Sequence, residues 1–137
     1  MIKNMYGRLD WNGTEEEQKE VIEEILSFPN FDYSLLILPG CAKFCWENCA
    51  KVLSKLDDKT LEPYLSQICV WFQDMNWPGA IIMLDRLEQI EPKILKPYIE
   101  KAYKEAEHDE DDMWKYYLVK YFGDLLGIEF QEEDSLS

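Results

Sequence analysis

The side chains best suited to chemistry in this sequence are thiols and carboxylates. Cys41, Cys45 and Cys49 recur every four residues, so on a helix they form one stripe. Clustered thiolates could hold a soft metal or exchange disulfides, and Cys69 is the one remaining thiol that could complete a set of four. The spacing argues against both uses. It lacks the two-residue separation of zinc knuckles, and the only histidine, His108, lies far along the chain among carboxylates. The cysteines are therefore read as small apolar residues of the core.

The second candidate is residues 105–112, where Glu105, Glu107, Asp109, Glu110, Asp111 and Asp112 surround Ala106 and His108. Calcium binding would need an EF-hand loop, and this run has neither its central glycine nor its ligand order. Two readings remain. One is a solvated turn between helices in which Asp111 or Asp112 caps the helix that follows. The other is a docking surface for the lysines and arginines of a basic partner. No nucleophile elbow, phosphate-binding glycine loop or H-E-x-x-H motif is present, so no catalytic, cofactor-binding or metal-ligating residue is assigned and the chain is not expected to be an enzyme.

The charge points the same way. Among 137 residues, 28 acidic side chains oppose 14 basic ones, for a net charge of −14. Such a surface repels nucleic acid and anionic membrane and suits a basic protein. The N-terminal residues lack the apolar run of a signal peptide, and no later stretch could span a bilayer, so a cytoplasmic location is expected.

These groups must be positioned by helices, and the helices repeat. Tyr33 precedes Trp46 by thirteen residues, Tyr64 precedes Trp77 by thirteen, and Tyr98 precedes Trp114 by sixteen. Leu61-Glu62-Pro63-Tyr64 is echoed by Leu95-Lys96-Pro97-Tyr98. After each tryptophan, apolar residues follow at helical spacing: Ala50, Leu53 and Leu56; Ile81, Leu84 and Leu87; Leu118, Tyr121 and Leu125.

Each unit thus reads as two helices, and the chain as an all-α, short HEAT-like solenoid of about three helix pairs behind one N-terminal helix. Thr14 should start that first helix, with Val21, Ile22, Ile25 and Leu26 on its apolar face. In the first unit a short helix from Tyr33 should break at Pro39-Gly40, and a longer one should cover residues 42–56. The middle unit should run over residues 60–72, capped by Thr60 with Pro63 in its first turn, and resume at Pro78. The third should cover residues 94–108, with Pro97 placed as Pro63 is, then residues 112–126 with Gly127 as C-cap. Residues 1–130 form one domain on this reading, and residues 131–137 an acidic disordered tail.

The segment Trp71-Phe72-Gln73-Asp74-Met75-Asn76-Trp77-Pro78-Gly79-Ala80 resembles the W-x-x-D-x-N-W-P-x-A signature of a family of small bacterial all-helical proteins, similar to HEAT-like repeats and of unknown function. The likeness covers roughly residues 56–118 and includes Asp111-x-x-Trp114. It implies a fold and no reaction. Physically, Asp74 or Asn76 could accept hydrogen bonds from the helix beginning at Pro78, while Trp77 and Trp71 bury their rings between helices. The competing use is a recognition patch of Asp74, Asn76 and Trp77.

Tyr103, Tyr116 and Trp11 lie off the apolar stripes and are candidate exposed anchors. The expectation drawn from all of this is a non-catalytic interaction module that binds a basic protein through its acidic surface. Its most concrete form is an immunity protein against a basic, nuclease-type bacterial toxin. The alternative is an adaptor that takes a peptide or helix in an apolar groove.

Overall fold

The computed structural model describes residues 8–37 and 42–130, and every regular element among them is helical. Helix α1 is Glu15–Ser27, and the Thr14 hydroxyl accepts the Glu17 N–H at 3.1 Å. Glu15, Glu16 and Glu17 sit at the positive end of its dipole, while Val21, Ile22 and Ile25 are buried. After Tyr33 the expected short helix exists as one 3-10 turn, Tyr33–Leu36, opened by the Asp32 carboxylate on the Ser34 N–H. The expected break at Pro39-Gly40, Cys41 and the tail all lie outside the described residues.

Helix α2, Trp46–Ser54, is entered through the 3-10 turn Lys43–Cys45, so the helix expected over residues 42–56 is split at its start. The middle unit departs further. Instead of one helix it runs through α3 (Asp58–Leu61), a 3-10 turn (Glu62–Tyr64), α4 (Leu65–Ile68) and a second 3-10 turn (Cys69–Gln73). Its cap is Asp57, not Thr60: the Asp57 carboxylate accepts the Thr60 N–H at 2.7 Å. Pro63 consequently lies beyond the first turn. Without an N–H it cannot bond the carbonyl four residues back, and the chain tightens to 3-10 around it.

Helix α5, Ala80–Glu88, starts two residues after Pro78, with Gly79 at φ +91° as its N-cap. Ala80, Met83, Leu84 and Leu87 lie on its buried face. Ile81, expected on that face, is turned about 100° from Ala80 and is 55% exposed.

Helix α6, Pro92–His108, takes Pro92 rather than Pro97 as its N-terminal proline, which leaves Pro97 inside the helix. Leu95, Ile99, Ala102 and Ala106 form its buried stripe. Helix α7, Asp112–Leu126, has the expected bounds and ends at Gly127 with φ +69°. It kinks at Phe122, whose φ of −129° is not helical.

Packing is repetitive. α1 lies on α2, α2 on α5, α4 on α6 and α6 on α7, with the Cys69–Gln73 turn bridging α5 and α7. This is a solenoid-like arrangement in which elements of successive units stack on one another. The apolar core extends from Leu9 through to Phe122 and includes the thiols Cys45, Cys49 and Cys69. Among the described residues, two polar side chains are buried within it, Asn48 and Arg86. Arg86 donates to the Leu56 carbonyl at 2.9 Å and to the Asp58 carboxylate at 2.5 Å, so the α5 guanidinium ties down the link between α2 and α3.

Candidate functional site

The signature segment forms the turn that joins the middle unit's helical path to α5. Trp71 is fully buried, and its Nε1 donates to the Pro78 carbonyl at 2.8 Å. Trp77 is half-buried and meets Trp46 edge to face, with centroids 5.3 Å apart. Gly79 passes so close to α2 that a Cβ there would lie 2.9 Å from the Trp46 carbonyl and 2.8 Å from the Ala50 Cβ. Trp46, Trp71, Trp77, Pro78 and Gly79 are thereby gathered at one contact between α2 and α5.

Asp74 and Asn76 do not cap α5 as expected. The Asp74 carboxylate accepts the Asn76 backbone N–H at 2.8 Å, and the Asp74 carbonyl accepts that of Trp77 at 3.0 Å. The chain thus makes a local Asx turn, because the helix starts too late for either side chain to reach its first N–H groups. The Asn76 side chain is exposed. Trp114, the counterpart of Trp77 in the sequence, occupies a different setting: it is 1% exposed and its Nε1 donates to the Cys69 carbonyl at 3.0 Å.

The acidic run closes α6 and opens α7. The Asp111 N–H bonds the Ala106 carbonyl at 2.9 Å and the Glu110 N–H bonds the Glu107 carbonyl at 3.1 Å, with Glu110 at φ +54°. That is the paired bonding of a Schellman end. One residue later the Asp111 carboxylate accepts the Trp114 N–H at 3.0 Å as the N-cap of α7. Asp111 is therefore half-buried and engaged, while Glu105, Glu107, Asp109, Glu110 and Asp112 are exposed. Met113, beside them, is 46% exposed. Within the run, His108 faces Asp109 at 3.3 Å and Lys115 approaches Asp112 at 3.9 Å.

Cys45, Cys49 and Cys69 are buried, and Cys41 lies outside the described residues. Burial pushes the Cys69 thiol far above its ordinary range, the nearby Glu105 charge adds to this, and its Sγ bonds the Leu65 carbonyl at 3.3 Å. A thiol so held stays protonated and is a poor nucleophile or ligand. Among the described residues, no group of three or more His, Cys, Asp or Glu side chains is placed to hold a metal ion, and no helix is long and apolar enough to cross a membrane. Of the three candidate aromatic anchors, Trp11 is 43% exposed, whereas Tyr103 and Tyr116 are half-buried.

One feature escaped the sequence reading. Between α1 and α2 lies a cavity of about 360 Å³, bordered by Lys19, Lys51 and Lys55 and by the buried Asn48. The four-residue spacing of Lys51 and Lys55, the C-cap of α2, sets both on one side of that helix, but nothing in the sequence pairs that side with α1.

The fold and these contacts define an all-α domain of repeatedly packed helices, a class set by architecture and not by a reaction centre. Within it, the model of a family described as a domain of unknown function (DUF5071) matches residues 43–136, and the chain belongs to that family. The match is wider than the stretch that carries the resemblance to the signature, and it begins after α1. No curated protein and no solved structure matches the chain.

Proposed function

We propose that this chain is a non-catalytic interaction module that binds a basic protein through the carboxylates of the α6–α7 turn. In its narrower form the partner is a basic nuclease-type toxin and the chain its immunity protein, built as a short HEAT-like stack of helix pairs. The observation that carries the reading is the construction of the turn. A Schellman end runs into a capped helix start, so five exposed carboxylates stand on a fixed backbone, followed in the chain by the exposed Met113. A rigid acidic array loses little entropy on docking, and the net charge of −14 adds long-range attraction for a cationic partner.

The test begins with capture of partners from the native cell by the full chain, identified by mass. The expected partner is basic, and its association should slow at least tenfold between low and high sodium chloride. The Glu107→Lys, Asp109→Lys, Glu110→Lys triple variant should slow it comparably while leaving the fold intact. Association indifferent to both salt and charge reversal would replace this reading with the adaptor alternative, in which an apolar groove receives a peptide or helix.

A further inference from the structure

We infer that the seam between α1 and α2 binds a small amphipathic carboxylate bearing an N–H group, of the type of an N-acylated aliphatic amino acid. The cavity of about 360 Å³ lies at the small end of the range of ligand pockets, roughly 300–1,000 Å³. α1 supplies Ile22, Leu26 and Lys19 to its wall; α2 and the residue after it supply Asn48, Lys51 and Lys55.

Charge argues for an anion. Glu15 and Glu23 also border the cavity, so its lining carries 3 − 2 = +1 in a chain whose net charge is −14. Lys51 has only a 4.0 Å approach to Glu47, and neither Lys19 nor Lys55 makes an ion pair among the described residues. Three lysines bordering a cavity that Ile22 and Leu26 also line suit a carboxylate attached to an aliphatic group.

Asn48 supplies the demand for an N–H. It is 1% exposed, and its Nδ2 donates to the Leu9 carbonyl at 2.7 Å and to Gln18 Oε1 at 2.9 Å. The amide cannot be reversed. Gln18 Nε2 donates to the Trp11 and Gly13 carbonyls, so the Gln18 oxygen must accept, and the nitrogen of Asn48 must face it. This leaves Asn48 Oδ1 as a buried acceptor without a donor in a residue that lines the cavity. That oxygen has almost no accessible surface, so a ligand N–H provides the donor by displacing the side chains that cover it. Because α1 precedes residues 43–136, the site is built half from the family domain and half from this chain's own N-terminal helix.

The experiment titrates N-acetyl-leucine into the full, ¹⁵N-labelled chain and follows the Asn48 side-chain amide with the backbone signals of Ile22, Lys51 and Lys55. Saturable shifts at these four positions are expected. N-acetyl-leucinamide, which lacks the carboxylate, and 4-methylpentanoate, which lacks the N–H, should each bind at least tenfold more weakly. A Lys51→Gln, Lys55→Gln variant changes only rim lysines; it should keep its thermal midpoint and lose tenfold or more in affinity. A short peptide ending in leucine offers the same chemistry. Its binding more tightly than N-acetyl-leucine assigns the site to a chain terminus, and the reverse to a free acid. Absence of saturable shifts with any of these compounds, or equal binding by the amide or the double variant, overturns the proposal.

Discussion

The indole N–H of Trp71 donates to the carbonyl of Pro78 at 2.8 Å, so the two ends of the turn between the middle helical path and α5 hold each other. The ring is fully buried, and phenylalanine in its place would leave the Pro78 carbonyl without that donor and shrink the packed volume. Loss of a donor to a buried acceptor together with a small cavity predicts that Trp71→Phe costs about 2–3 kcal/mol. Trp114→Phe, which releases the Cys69 carbonyl, should cost a similar amount. Urea denaturation measures both; a midpoint unchanged from the parent chain in either variant would assign its bond no structural weight.

Gly79 is required twice over at the same contact. Its φ of +91° is strained for any residue with a Cβ, and that Cβ would press against the Trp46 carbonyl and the Ala50 Cβ of α2. Backbone strain and the forced separation of α2 from α5 together predict that Gly79→Ala costs about 2–4 kcal/mol. Adding Ala50→Gly should recover only a fraction of this, because it relieves one contact and leaves those with the Trp46 carbonyl and Trp71 Nε1 as well as the backbone strain. Recovery of full stability by that second change would show φ to be irrelevant.

At Asp74 and Asn76 the two uses of the signature separate. Asp74→Ala removes the acceptor of the Asx turn and should cost about 0.5–1 kcal/mol. Asn76→Ala alters an exposed side chain and should stay within about 0.5 kcal/mol of the parent by thermal melting. A loss of partner binding by Asn76→Ala at unchanged melting temperature would identify a recognition role there.

What could be read beforehand follows from how far each interaction reaches along the chain. Thr14, Asp111 and Gly127 act on backbone three or four residues away, so their residue types marked helix ends reliably. Asp57 and Thr60 are three residues apart and both are good caps, so type alone pointed to the wrong one. The echo of Pro63 in Pro97 misled for a related reason: Pro92 supplied an earlier start to α6, and the copied proline fell inside the helix. Ile81 shares three-residue spacing with Leu84 and Leu87, but the buried face of α5 also takes in Ala80 and Met83, which leaves Ile81 at its edge and exposed. Arg86 and Asn48 were invisible because their partners lie 28 to 39 residues away. Of the candidate surface, the acidic run was legible as composition. Its division into one capping carboxylate and five exposed ones depends on backbone geometry.

Asp57 also carries a prediction about acid. Hydrogen bonds from Thr60, with smaller help from the Lys59 and Arg86 charges, hold its carboxyl below its ordinary value of 3.8. A folded-state pKa below the unfolded one contributes stability at higher pH, and that contribution disappears as pH falls through the folded-state value. The urea midpoint should therefore drop between about pH 5 and pH 3. Asp57→Asn keeps an oxygen acceptor but does not titrate, so its midpoint should fall less steeply over that range. Equal slopes for the two chains would remove Asp57 from the acid response.

Glu110 offers a change in the opposite direction. It holds the left-handed position of the Schellman end of α6 at φ +54°, where a residue with a Cβ is disfavoured by about 1–2 kcal/mol and glycine is not. Glycine costs part of this back through the freedom it gives the unfolded chain, so Glu110→Gly should stabilise by about 0.5–1 kcal/mol. Removing one carboxylate from the crowded run adds a small gain that salt should screen. Thermal melting at low and high sodium chloride separates the two: the conformational part persists at high salt, and the electrostatic part vanishes. The same variant keeps the turn's bonds while deleting one exposed acid, so a more stable chain that associates more slowly with its partner would tie the α6–α7 turn to binding independently of any damage to the fold.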